Sequence, residues 1–249
     1  MSTEELKDFL DYKAKYYENA DFLESDPIQL PHRFTKKEDI EIVGFLVSTI
    51  AWGNRKMIIN NGVKLLDIMD NDPFEFIKSF NSKELNFVHR TFNSVDLEFY
   101  LRSLQKIYTN SNLESCFAPH PTIDGVKGRI VNFRSHFLTM EHEKRSEKHL
   151  SNPLKNSACK RLNMYLRWMV RDAKKNVDFG IWKSISSKEL LMPLDVHTSR
   201  NARSLGLLSR QQDDWKALEE LMATLRNFDP EDPVKYDFAL FGIGAFEKF

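Results

Sequence analysis

Apolar residues recur at helical spacing along nearly the whole chain, and strand-like alternation is weak everywhere. From Asp39 to Ile50 they crowd, with Ile40, Ile42, Val43, Phe45, Leu46, Val47 and Ile50 leaving almost no polar face, so a helix buried on all sides is predicted there. Gly53 breaks it. A second helix resumes near Met57 and runs to Met69, where Asn71-Asp72-Pro73 stops it. Shorter helices are predicted over Pro73 to Phe80, Ser82 to Arg90, Val95 to Tyr108, Leu113 to Phe117 and Gly125 to Leu138. Met140 to Leu150 is charged with little apolar period and reads as an exposed connection or a solvated helix. Beyond Pro153, Leu162, Tyr165, Leu166, Met169 and Val170 share an apolar face, with Arg161, Arg167 and Arg171 lying off it. Pro193 to Leu205 leads into a helix that Gly206 suits as a left-handed cap. Trp215 to Phe228 is amphipathic, and Asp232-Pro233 opens a last helix toward Gly242. No internal repeat or low-complexity stretch interrupts this pattern, so the class is all-α.

A chain of 249 residues can bury a substantial core, and nine Gly and nine Pro leave little room for long linkers. Zero formal charge argues against coating a polyanion by bulk attraction. The average conceals an asymmetry. Lys127 to Lys175 carries thirteen Lys or Arg against four Asp or Glu, whereas Met1 to Asp26 and Asp213 to Asp237 each carry three against eight. A local basic surface around Lys160 is predicted, as a phosphate-binding groove would require. Cys116 and Cys159 are too few and too far apart for a disulfide framework or a four-cysteine cluster. The acidic start Met1-Ser2-Thr3-Glu4-Glu5 has no apolar signal region, and no apolar run is long enough to span a membrane, so a cytoplasmic protein without membrane attachment is expected.

The residues richest in chemistry are Lys160, closing Asn156-Ser157-Ala158-Cys159-Lys160 at a predicted helix start, and Asp195, in Pro193-Leu194-Asp195-Val196-His197 just before another. Read alone, Asp195 is a helix N-cap, and a lysine at a helix start is solvated. Taken together, these segments resemble the helix-hairpin-helix DNA glycosylases, the superfamily of endonuclease III and the 8-oxoguanine glycosylases. Leu154 to Lys160 is similar to that family's Leu-Pro-Gly-Val-Gly hairpin and the lysine beyond it, and Pro193 to His197 to its Pro-Val-Asp-Val-His block. Lys235 to Gly242 resembles the following core helix, and Phe45 to Asn54 the helix and loop that fill the gap left by a flipped base. Asn156 and Ala158 stand where the hairpin glycines would be. The 35 positions from Lys160 to Asp195 are about twice the usual family spacing, and resemble the archaeal 8-oxoguanine glycosylase branch more closely. The whole chain also resembles an uncharacterised bacterial family, a likeness that implies no activity by itself.

The resemblance implies two closely packed helical lobes with a cleft between them, one over residues 38–135 and the other over 1–37 with 136–249. It implies base-excision repair: a monomer acting on double-stranded DNA with a damaged base, excising an oxidised purine and then cutting the strand as an AP lyase. Lys160 would be the nucleophile, able to attack the sugar only as the neutral amine, a form that desolvation and the positive end of a helix dipole both favour. Asp195 would activate it and balance the developing sugar cation. Asn156, Ser157, Arg161, His197, Thr198 and Arg200 would meet the DNA backbone, with Asn54 and Arg55 in the gap, against the alternatives that His197 is a packing histidine, that Arg200 faces solvent, and that Asn54 and Arg55 form a loop with a helix cap. Trp52, Trp168 and Trp182 are candidates to line a base pocket, against the alternative that they are core. Asp195-Val196-His197 has no partner at metal-ligand spacing, so neither a metal nor a cofactor is predicted. Two other readings stay open: a glycosylase without the lyase step, and a nucleic-acid-binding protein that keeps the scaffold without its chemistry.

Overall fold

The computed structural model describes residues 1–82 and 84–247, and of Ala20, Asp21 and Phe246 the backbone alone. In chain order the α-helices are α1 (Thr3–Tyr17), α2 (Ala20–Ser25), α3 (Lys37–Thr49), α4 (Arg55–Ile68), α5 (Pro73–Ser79), α6 (Ser94–Asn110), α7 (Leu113–Cys116), α8 (Gly125–Phe137), α9 (Lys160–Val170), α10 (Val196–Ser204), α11 (Trp215–Phe228) and α12 (Tyr236–Gly242). Short 3₁₀ turns link several of them, and a π-turn over Ile243–Glu247 follows α12. The chain divides into two compact units, Leu23–Ser151 and Met1–Phe22 with Asn152–Phe249. These divisions fall about fifteen residues from those the resemblance implies, so residues 23–37 and 136–151 belong with the Leu23–Ser151 unit.

Within Leu23–Ser151, α3 is buried along nearly its whole length, as its unbroken apolar run requires. Phe45 on α3 packs against Tyr100, Phe133 and Phe137, with ring centroids 5.2 to 5.7 Å apart. Phe117 stacks on Phe133 at 4.2 Å. Much of the chain's phenylalanine is therefore core. Of the helix predicted over Ser82 to Arg90, Lys83 lies outside the described residues, and Ser82 and Glu84 to Arg90 are not helical; Val88 and His89 form β1 (Val88–His89), antiparallel to β2 (Phe92–Asn93). A polar interaction explains the change. Asn93 ends β2 and caps α6 in a capping box with Asp96, which fixes the chain direction in front of the helix.

The charged run from Met140 to Leu150 is only partly solvated. It contains a 3₁₀ turn over Lys144–His149, in which Ser146 and His149 are buried. Ser146 Oγ donates to the buried Asp96 at 2.6 Å and Arg145 pairs with the same carboxylate at 2.9 Å. The absent apolar period is replaced by a shared acidic partner.

In the other unit, Ser2 and Glu5 form a capping box that starts α1, a helix the apolar pattern does not announce. It lies along α12. Asp11 accepts from Tyr236 at 2.9 Å and pairs with Lys235 at 2.8 Å, while Lys13 reaches Glu247 at 2.6 Å. Close approach depends on Gly242, where a Cβ would fall on the ring of Tyr17. Gly242→Ala is expected to lower stability by about 1–3 kcal/mol through overpacking, measured as a lower Tm. Gly206 closes α10 as predicted: its φ is +73°, its N–H reaches Arg203 and the Leu207 N–H reaches Ala202, the paired bonds of a Schellman motif.

Candidate active site

Lys160 is the first residue of α9, reached through a tight turn. The turn begins with a 3₁₀ segment over Pro153–Lys155, after which Asn156 adopts φ +61° and Cys159 φ +49°. The left-handed positions are thus Asn156 and Cys159, not Asn156 and Ala158. Asparagine tolerates this region well; cysteine does so at some cost in strain. The turn is pinned from outside. Asn156 Nδ2 donates to Asp214 at 2.8 Å and the Trp215 N–H donates to the Asn156 carbonyl at 3.0 Å. Asp214 also caps α11 through the Ala217 N–H and holds Arg210, which keeps its carboxyl well below the usual carboxylate range.

No side chain caps α9, and its first turn holds Lys160 and Arg161 rather than acids. Two cations at the positive end of a helix oppose its dipole, so the sequence does not optimise this helix end for stability. The opposing charge comes from Asp195. Its Oδ2 lies 3.3 Å from Lys160 Nζ, and the two side chains are about one-third and one-sixth exposed. Its Oδ1 accepts from the N–H groups of His197 and Thr198, both at 2.9 Å, and so caps α10. The cap fixes one oxygen and leaves the other aimed at the amine.

The predicted phosphate contacts change accordingly. Two amides at the start of α10 are occupied by Asp195, and Thr198 is buried with its hydroxyl unpartnered among the described residues, so its side chain is not on a surface that DNA could touch. His197, Arg200 and Asn156 are exposed, and Ser157 and Arg161 are half-buried.

The basic segment carries less surface charge than its composition predicts. Arg129, Arg134, Arg167 and Arg171 are buried. Arg171 takes Asp232 through Nε and Nη2 at 2.8 to 3.0 Å, Asp178 at 3.1 Å, and Glu18. Arg167 takes Asp178 at 3.2 Å and Asp237. Both guanidinium groups lie over the Phe238 ring, 4.6 and 5.2 Å from its centroid. The acidic ends of the chain therefore neutralise part of the basic middle internally.

This network brings in a residue that the sequence reading does not assign to the site. Asp237 on α12 is buried, and desolvation pushes its carboxyl up to about 6; Arg167 opposes the rise, and the charges of Asp195 and Lys160 also act on it. Its signal in the sequence is an acid between Tyr236 and the apolar run Phe238-Ala239-Leu240-Phe241.

Trp168 and Trp182 are fully buried in the core, Trp182 with its ring edge against Tyr165 at 5.3 Å. The segment between Lys160 and Asp195 folds back on α9 through the Phe179 and Trp182 N–H groups, which reach the carbonyls of Trp168 and Met169. Neither indole presents a face for a base. Trp52, Asn54 and Arg55 belong to the other unit. Trp52 is half-buried, stacked on His149 at 5.8 Å and met by the edge of His89 at 4.7 Å. Gly53, at φ +103°, leads to Asn54, which caps α4 by accepting from the Met57 N–H; Arg55 donates to Ser25. The cap and an exposed position coexist at Asn54. Among the described residues no group of three His, Cys, Asp or Glu is placed to hold a metal ion, and no helix is long and apolar enough to cross a membrane.

A family model described as "Protein of unknown function (DUF2400)" matches residues 26–246. No curated protein and no solved structure matches the chain.

Proposed function

We propose that this chain, a member of the DUF2400 family, is a DNA glycosylase of the helix-hairpin-helix type with AP lyase activity, excising an oxidised purine such as 8-oxoguanine. The observation that carries the reading is the Lys160 amine at 3.3 Å from Asp195, each at the start of a helix and the lysine directly after a turn with two left-handed residues. A target nucleotide must leave the duplex before its sugar can be reached, at a cost of a few kcal/mol. The neutral Lys160 amine then forms a bond to C1′ while the glycosidic electron pair departs with the base. Loss of one Nζ proton and opening of the sugar ring, whose oxygen takes a proton, leave an iminium joining Nζ to C1′. Removal of a C2′ proton then expels the 3′ phosphate. Asp195 stays beside the cationic centre throughout, fixed by the two amides it caps.

The test is borohydride trapping on duplexes carrying 8-oxoguanine, an abasic site or no lesion, with Asp195→Asn alongside. Asparagine caps helices as well as aspartate does, so this substitution removes charge while keeping α10 in place. Adduct on the two damaged duplexes only, reduced about 10²-fold or more in the variant, is the expected result. Absence of adduct on both damaged duplexes, with binding retained, would overturn the Schiff-base mechanism and favour base release without lyase action or a scaffold that only binds.

A further inference from the structure

The amine chemistry leaves a proton without a destination. Lys160 must pass from ammonium to amine before it can attack, and the nearest carboxylate is engaged on both oxygens: Asp195 Oδ1 by two amides, Oδ2 by the ammonium itself. We propose that Asp237 receives this proton and serves as the acid–base partner of Lys160, an inference that rests on the glycosylase reading of that lysine.

Three observations carry it. Lys160, Asn163 and Arg167 recur at i, i+3 and i+7 and so share one face of α9. Arg167 at the far end of that face grips one oxygen of Asp237, while the other accepts no hydrogen bond from the described residues. Between them, Asn163 is buried; its Nδ2 is committed to the Ala158 carbonyl at 2.9 Å and its Oδ1 has no partner among the described residues. The α9 face between Lys160 and Arg167 thus holds a buried, unfilled acceptor, and the charge of Lys160 acts on Asp237. Burial also brings Asp237 to about 6, within reach of the working range of a general base near neutral pH.

The other ionisable groups around α12 are occupied. From α1, Asp11 is held by Lys235 and Tyr236. Glu18, just beyond it, is held by Arg171. Glu247 in the closing π-turn is held by Lys13 and Tyr17. From the α9 side, Arg167 is shared with Asp178, and from the start of α10 comes Asp195. Glu18 and Glu247, like Asp237, are held through one oxygen each, and of the three it is Asp237 on which the charge of Lys160 acts.

The step balances without any further reactant. An Nζ–H bond breaks, its electron pair remains on nitrogen, and the proton forms an O–H bond on Asp237; an ammonium and a carboxylate become an amine and an acid. Net charge is unchanged, so a buried site meets no new uncompensated ion. The acid can later return its proton to the opened sugar oxygen.

Two measurements test this. In single-turnover trapping on an abasic duplex between pH 5 and 9, Asp237→Asn is expected to slow adduct formation about 10²-fold near pH 7 and to lose the acid limb seen in the parent. An unchanged rate and pH profile would overturn the inference. Separately, the Lys160 Cε shift of protein carrying ¹³C-lysine is followed through the same pH range. A step at the pH where Asp237 titrates, absent in Asp237→Asn, is the expected result, and no such step in the parent overturns the inference. If parent protein gives no adduct, the glycosylase reading fails while the Cε titration still decides whether the two groups share a proton. Should Asp237→Asn not fold, Asp237→Glu replaces it in both measurements, with a displaced acid limb and a displaced step expected.

Discussion

Lys160→Gln protein is expected to give no borohydride adduct on any duplex, with Tm and affinity for an abasic duplex close to those of the parent. The loss is complete because glutamine has no amine to form the iminium; removal of a covalent nucleophile is not compensated by its neighbours. Retention of the fold follows from the geometry. The Lys160 pair with Asp195 is partly exposed, and such pairs contribute about 0–1 kcal/mol. Asp195 keeps both cap bonds to α10 without the lysine, and a lysine in the first turn of α9 opposes the helix dipole in any case. Circular dichroism, thermal melting and duplex binding on the same preparation separate the outcomes. Loss of the fold would make Lys160 structural. Base release that survives the substitution would select a glycosylase whose lysine touches phosphate rather than sugar.

Arg171→Ala is expected to cost about 3–5 kcal/mol, the largest stability effect of any single substitution considered. The arginine serves Asp232, Asp178 and Glu18 together, and the Asp178 side chain has no exposed surface. Burial disfavours the charged guanidinium, but its bonds to Glu18 and Asp232 outweigh that and hold its proton more tightly than usual. Alanine would strand buried carboxylates and remove the cation over Phe238. Stranded acids are easier to accommodate when protonated, so the penalty relative to the parent should shrink as pH falls through the carboxylate range and be full at neutral pH. Denaturant melts at pH 7 and pH 4 measure both parts of this expectation. Equal destabilisation at the two values would show that lost packing, rather than stranded charge, dominates.

The two substitutions fall at the two ends of α9, which have different work. Its first residue, Lys160, is a partly exposed cation that stability is not expected to require, and its C-cap, Arg171, is a buried one that the fold is expected to require. Arg167 lies between them and joins the regions through Asp178 and Asp237. The wild-type pattern therefore couples the candidate site to the ion network that holds α1, α9 and α12 in one unit.

Most of the helices were legible in the residues themselves. The crowded apolar run of α3, the amphipathic run of α11, the Gly206 cap and the Asp195 cap each depend on neighbours within a few positions, and backbone hydrogen bonding in helices acts over that same range. Lys160 and Asp195 are nominated as a pair by the resemblance of their two segments to the glycosylase hairpin and aspartate block, since helix starts alone suggest a solvated lysine and an N-cap. Their 3.3 Å approach, however, belongs to the tertiary structure, as does the choice of Cys159 rather than Ala158 for the second left-handed position. So does the fate of the charges. Arg167 and Arg171 lie off an apolar face as solvated residues would, and apart from Asp178 the acids that hold them buried are 61 to 153 positions away in sequence. Sequence distance likewise hides Asp237, which Arg167 meets from α9 and on which the charges of Lys160 and Asp195 act. Periodicity records which side of a helix is apolar; whether its polar side meets water or an opposite charge is settled by packing, because electrostatic partners are chosen by distance in space rather than along the chain.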